Sequence, residues 1–140
     1  MNKYVRGDDL LMYIHDGESP GAFVVVGRAT QNQIQDTLEL IATNDKSSGN
    51  TQSYLAGKMG LTMSLTVNMF DGDTGQALLN TASKIANRRN AVKMKFTDGI
   101  NDIEGDFFIN DTDKGGSTGE IATKSYNLTC NGDWTDTAVA

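Results

Sequence analysis

Between Leu61 and Met69 the apolar residues Leu61, Met63, Leu65, Val67 and Met69 alternate without interruption with Thr62, Ser64, Thr66 and Asn68. Successive side chains of a β-strand point to opposite faces, so this stretch predicts an antiparallel strand with one dry face and one wet face. No catalytic residue type interrupts it. The pattern points to a protein whose information lies in strand architecture, and so to assembly more than to chemistry.

Other segments carry the same period. Leu10 to Ile14 and Ala22 to Val26 are short apolar runs separated by the turn-rich Asp16, Gly17, Ser19, Pro20 and Gly21, which predicts a hairpin. Over residues 33–43, Ile34, Leu38, Leu40 and Ala42 fall on one face, where Asp36 breaks the pattern, and Gln33, Gln35, Thr37 and Glu39 on the other. Val92, Met94 and Phe96 alternate with Lys93 and Lys95, Asp98-Gly99 supplies a hairpin turn, and Ile103, Phe107 and Ile109 return opposite Asp102, Glu104 and Asp106. Gly105 breaks that apolar row, which predicts a bulge or a close backbone approach. A last strand over 120–132 sets Ala122, Tyr126, Leu128 and Cys130 against Thr123, Ser125, Asn127 and Thr129, with Lys124 as the exception.

The period changes only over residues 71–87, where Leu78, Ala82, Ile85 and Ala86 recur at helical spacing. Asp73 with Gln76 three residues later matches a capping box, and Arg88 and Arg89 suit the negative end of the helix macrodipole. The fold expected is mainly β: an antiparallel β-sandwich or barrel of about seven strands with one flanking α-helix. A length of 140 residues fits a single domain spanning 1–140. Residues 44–56 form a polar connection long enough to require a function, with Tyr54 and Leu55 as apolar hooks near its end.

Charge and composition exclude several roles. With 18 acidic and 12 basic residues the net charge is −6, so the chain gains no counterion-release affinity for nucleic acid. Cys130 is the only cysteine, which removes internal disulfides and multi-cysteine zinc sites, and no apolar run has the length of a signal peptide or a membrane span. Folding in the cytoplasm and no membrane partner are the expectations.

No catalytic, cofactor or metal site is expected. His15 has no clustered second ligand, and a nucleophile, a base and an orienting group should be identifiable together. Cys130 falls on an apolar face, where a free thiol behaves as a small hydrophobe. Asp111, Asp113, Gly116 and Glu120 echo a calcium loop, but Gly115 and Ala122 stand where ligands are needed. The Asn110-Asp111-Thr112 and Asn127-Leu128-Thr129 triplets match the glycosylation pattern by chance in a chain expected to stay cytoplasmic. The trio Asp102, Glu104 and Asp106 admits three readings: acid and base chemistry, protection of an exposed edge strand, or lining of a passage for an anionic polymer.

The order of these elements resembles a known family. Ile41-Ala42-Thr43, then Asn44-Asp45-Lys46-Ser47-Ser48-Gly49 leading to Tyr54-Leu55-Ala56-Gly57, the alternating strand, one helix, Gly105-Asp106-Phe107-Phe108-Ile109 and Glu120-Ile121-Ala122-Thr123 resemble the major tail tube protein of long-tailed bacteriophages. The fold of that family is related to the haemolysin-coregulated ring proteins of type VI secretion. The resemblance covers most of residues 8–132.

It implies a structural virion protein and not an enzyme: a subunit of hexameric rings that stack into a hollow tail tube through which DNA is ejected. It also implies tail partners (initiator, terminator and tape measure proteins) and assembly in the host cytoplasm. By the same resemblance, Asn44, Asp45, Lys46, Ser47, Ser48, Gly49, Tyr54, Leu55 and Gly57 belong to a loop over 44–57 that bridges subunits, and Asp102, Glu104, Asp106 and Glu39 are lumen candidates. Lys93 and Lys95 either pair with those acids across strands or face elsewhere. The competing expectations are a monomeric β-sandwich module that binds sugar or protein, and a secretion-system ring protein of the same fold.

Overall fold

The computed structural model describes residues 4–17, 21–43 and 53–138. A 3-10 turn at Gly7–Asp9 leads into β1 (Leu11–His15), β2 (Phe23–Val25), β3 (Ala29–Thr43), β4 (Ser53–Asn68), α1 (Thr74–Ser83), β5 (Val92–Thr97), β6 (Asn101–Gly115), β7 (Thr123–Cys130) and β8 (Thr135–Ala138). All described strand pairs are antiparallel and belong to one sheet, ordered β2-β1-β5-β6-β7-β4-β3, with β8 also paired to β6.

The alternating residues drive this arrangement. Leu61, Met63, Leu65 and Val67 of β4 are all buried, and they meet Met12 and Ile14 of β1, Met94 and Phe96 of β5, Phe107 and Ile109 of β6, and Tyr126 and Leu128 of β7 in one core. Strands distant in the sheet order therefore share a core, and Asn32 Nδ2 of β3 donates to the Leu10 carbonyl at 2.7 Å, next to β1. The sheet curls around its own apolar face. No ladder joins β2 to β3 among the described residues, so it stays an open, sandwich-like wrap.

The described strands number eight where about seven were expected. The additional one, β8, is exposed along its length and shows no apolar alternation. It forms because β7 leaves β6 at the pair Phe107↔Cys130, and β8 takes up the vacated edge at Asn101–Glu104. Gly105 lies at that handover, where an added Cβ would come within 3.2 Å of Cys130 Sγ and of Trp134 Cβ, so the close approach expected there is present. Gly99, at φ 87°, supplies the backbone that the Asp98-Gly99 turn requires.

Asp98 fastens the same turn, its carboxylate accepting the backbone N–H of Ile100 and of Asn101 at 2.8 Å each. These bonds, that from Asn101 first, hold its carboxyl below the usual aspartate value. A folded-state value that lies below the unfolded one adds stability above the unfolded pKa, about 4, and loses it as pH falls through the folded value. The urea midpoint of Asp98→Ala should accordingly trail the wild type at pH 7 and approach it at pH 3; an equal gap at both would refute the assignment.

The helix is shorter than its periodicity suggests. It spans Thr74–Ser83 and not 71–87: the backbone of Lys84 is extended, Ile85 is 79% exposed, and the buried apolar residue is Leu79, with Leu78 and Ala82 only flanking it. Arg88 explains the early stop, since its Nε and Nη2 donate to the Ser83 carbonyl at 3.1 and 2.8 Å and satisfy the helix end. At the other end Asp73 accepts the Gln76 N–H at 3.0 Å as an N-cap.

Gln76 does not return the capping bond. Its Oε1 accepts the Phe70 N–H at 3.1 Å, while Nε2 donates to the carbonyls of Gly27 and Asn68 at 2.9 and 3.0 Å. One side chain thus joins the helix start to the β2–β3 turn and the end of β4. Gly75 packs on the Val25 carbonyl with no room for a Cβ, so the helix seats directly against β2.

Candidate assembly interface

The sheet does not use all of β3 and β4. β3 and β4 pair from Ala29↔Val67 to Thr43↔Ser53, but β7 covers β4 only from Thr62 to Asn68. From Asp36↔Leu61 outward the two strands have only each other and project as a two-stranded arm. The expected loop over 44–57 is corrected by this geometry: Ser53 to Gly57 are strand, including Tyr54, Leu55 and Gly57, because residues 53–56 pair with 40–43. Asn44, Asp45, Lys46, Ser47, Ser48 and Gly49 lie outside the described residues.

The arm's register decides what it displays. Even positions of β3 continue the core side of the sheet, so Leu38, Leu40, Tyr54 and Met59 extend the buried row of Leu61 and Met63 into solvent, 49 to 66% exposed. Ile41 and Leu55, paired with each other, are exposed on the other face. A bulge between Leu38↔Met59 and Leu40↔Ala56 sets Gly57 and Lys58 opposite Glu39, and a Cβ on Gly57 would touch the Glu39 carboxyl at 3.1 Å. A two-stranded ribbon is marginally stable alone in water, and this one exposes an apolar face broken only by Asp36, which pairs with Leu61.

Two strand edges near the arm are also unpaired. β3 ends the sheet, and β6 loses β5 after Val92↔Phe107, so residues 108–115 pair with β7 on one side only. Long open edges are templates for another chain.

The outward face of the sheet divides into two halves. On one, Lys93 stands opposite Asp106 and Lys95 opposite Glu104, so the lysines occupy cross-strand positions to two acids of the trio, with Asp102 opposite Thr97. No ion pair closes these positions among the described residues; Lys95 Nζ lies 4.6 Å from the Tyr13 ring and 5.1 Å from the Phe23 ring. On the other half, rows such as Gln33–Ser64–Asn127–Asp111 cross β3, β4, β7 and β6 and surround a shallow depression of about 310 Å³. The alternation of strands left this polar carpet legible in sequence, but only the strand order brings its rows together.

No other constellation suggests chemistry. His15 Nδ1 accepts the Gly17 N–H at 3.0 Å, and no group of metal-ligating side chains occurs among the described residues. Burial, with Asp106 and Asp133 nearby, pushes the Cys130 thiol up, away from nucleophilic character. Burial also raises the Tyr126 phenol to about 12. Lys124, buried on the core side, donates to Asn80 Oδ1 at 2.7 Å, and burial, then Lys114 and Arg88, lower its pKa. Trp134 packs against the core and offers no exposed platform for a sugar. No helix is long and apolar enough to cross a membrane among the described residues.

Comparison with known proteins agrees with this geometry. The sequence profile of a family described as phage tail tube protein matches residues 4–136. No curated protein matches the sequence. Among solved structures, the fold is similar to a chain of the tail of an empty gene transfer agent particle with C6 symmetry, at TM-score 0.79 and 20% identity over 95% of this chain and 98% of that one. It is similar to the SPP1 tail tube at TM-score 0.79 and 13% identity, over 97% of this chain and 80% of that one. A sheath-tube complex of an extracellular contractile injection system gives TM-score 0.65 and 10% identity over 99% and 93% of the two chains.

Proposed function

The chain belongs to the phage tail tube protein family and is a structural subunit of a tail tube, and from that premise we propose that its copies close edge to edge into hexameric rings that stack into a conduit for DNA. The open edge of β3 in one copy lies beside residues 108–115 of β6 in the next, a head-to-tail contact that closes when the rotation per copy completes a circle. The arm of β3 and β4 reaches to a neighbouring copy, where Leu38, Leu40, Tyr54 and Met59 find the apolar cover that their own chain does not supply.

The projecting arm is the observation that carries this reading. Its apolar face continues the core row and ends in solvent, an arrangement that a monomeric binding module has no reason to keep. The protein works by assembly and not by turnover. Its place is the virion tail; its partners are copies of itself, the proteins that start and end the tube, and the tape measure within it. Assembly takes place in the host cytoplasm.

Electron microscopy of the purified protein at rising concentration tests the proposal. Rings or tubes with sixfold symmetry are expected, and a protein that stays monomeric at every concentration, with or without the tail initiator complex, would refute it. The likeness to tubes of contractile injection systems supports a second reading, a ring of the same architecture that passes a protein cargo. Nucleic acid in native particles separates the two.

A further inference from the structure

We infer that the arm of one copy seats in the cleft between α1 and the ends of β4 and β7 of a copy in the next ring, where Asp36 of the arm pairs with Lys124 of the cleft. The inference rests on the reading of stacked rings and names the surface that receives the arm. Asp36 and Lys124 each interrupt the apolar row of a strand, and their charges are opposite.

Lys124 is a buried cation without a counterion. It lies on the core side of β7, opposite Val67 of β4 and Lys114 of β6, and is 9% exposed. Its Nζ donates to Asn80 Oδ1 at 2.7 Å and lies 5.1 Å from the Tyr126 ring, and no ion pair joins it to an acid among the described residues. The charges that act on it are those of Lys114 and Arg88, both positive. Asp73, in the lining of the same cleft, is already committed to the N–H groups of Gln76 and Gly27. An ammonium has three donors, so two remain for an incoming carboxylate, and a cation held out of water is strongly favoured by such a partner.

Asp36 has the complementary defect. It is exposed at the root of the arm, opposite Leu61 and on the face that carries Leu38 and Leu40, and it forms no ion pair among the described residues. The Lys124 of its own chain stands opposite Val67, roughly 20 Å further along β4, so the pair does not close within one copy. The cleft offers cover as well as charge: it holds about 420 Å³ with Met69, Phe70 and Tyr126 in its lining, and Met69 and Phe70 are about half exposed. The apolar row of β4 thus reaches solvent at both ends, at Met59 in the arm and at Met69 beside the cleft. A contact between opposite ends of one strand is head-to-tail, and repeated from copy to copy it stacks subunits along an axis.

Asp36→Asn and Lys124→Met, singly and together, test the pair. Each single variant should raise the concentration at which tubes form by about thirtyfold or more, read by sedimentation, while the free subunits keep the circular dichroism spectrum of the wild type. The double variant should need no more than the worse single one, because a pair already broken has nothing further to lose. Tubes at the wild-type threshold in either single variant, or effects that multiply in the double variant, would overturn the pairing. Zero-length carbodiimide coupling of the unsubstituted protein needs no variant to fold. Mass spectrometry should find Asp36 joined to Lys124 in tubes and not in free subunits, and Lys124 joined to a different acid would overturn the assignment. Absence of tubes from the unsubstituted protein would instead overturn the ring reading on which the pairing rests.

Discussion

A subunit carrying Leu38→Lys and Leu40→Lys is expected to keep the circular dichroism spectrum and thermal stability of the wild type and to form no tubes at concentrations where the wild type polymerises. Both side chains are about half exposed on the arm and stand outside the buried core cluster, so folding of the sheet body should register their loss little. Burying a leucine contributes roughly 2 kcal/mol, and two of them about 4, which corresponds to a critical concentration raised on the order of a thousandfold. Sedimentation and microscopy read the outcome. Tubes at the wild-type threshold would remove the arm from the interface, and an unfolded variant would show that the arm belongs to the monomer's own core.

Replacing Gln76 by alanine should produce the largest stability loss caused by a single polar residue. The side chain is 8% exposed and meets three backbone groups, the Phe70 N–H and the carbonyls of Gly27 and Asn68. Each buried group left without a partner costs about 1 to 3 kcal/mol, and water entering from the adjacent cleft recovers part of it. A net loss of roughly 3 kcal/mol follows, seen as a melting temperature lower by about 10 °C. Gln76→Glu distinguishes the network from simple packing: it keeps the acceptor for Phe70 but sets a carboxylate against two carbonyls, so it should be at least as damaging. If both variants melt within a degree or two of the wild type, the helix start is not held by this residue.

These two residues also mark how far local pattern reaches. The spacing of Asp73 and Gln76 identified a helix start, and Asp73 caps it as expected. The same spacing assigned Gln76 a reciprocal bond that it does not make, because three backbone groups outside the helix, those of Phe70, Asn68 and Gly27, offer a buried amide more than one N–H does. Ile85 was placed on the helix by its period and stands in solvent, since Arg88 folds back to satisfy the Ser83 carbonyl before the period runs out. Tyr54 and Leu55 were read as apolar hooks near the end of a loop, and they lie exposed on a strand. On β3 the alternation runs on into the arm, but on β4 two residues, Gly57 and Lys58, stand opposite Glu39 at the bulge, so the period-2 signal is lost over Ser53 to Gly60.

The sequence by itself determined that Leu61 to Val67 and Tyr126 to Leu128 are strands with one buried face, that one helix begins at Asp73, and that Asp98-Gly99 turns. Backbone geometry fixes these within a few residues, so they are written locally. Only the tertiary structure decided that β3 and β4 outrun the sheet, that β8 completes β6, and that polar residues from four distant strands form one polar face. Which strand lies beside which, and which edge is left open, depends on contacts between segments tens of residues apart, and no periodicity within a segment records its neighbour.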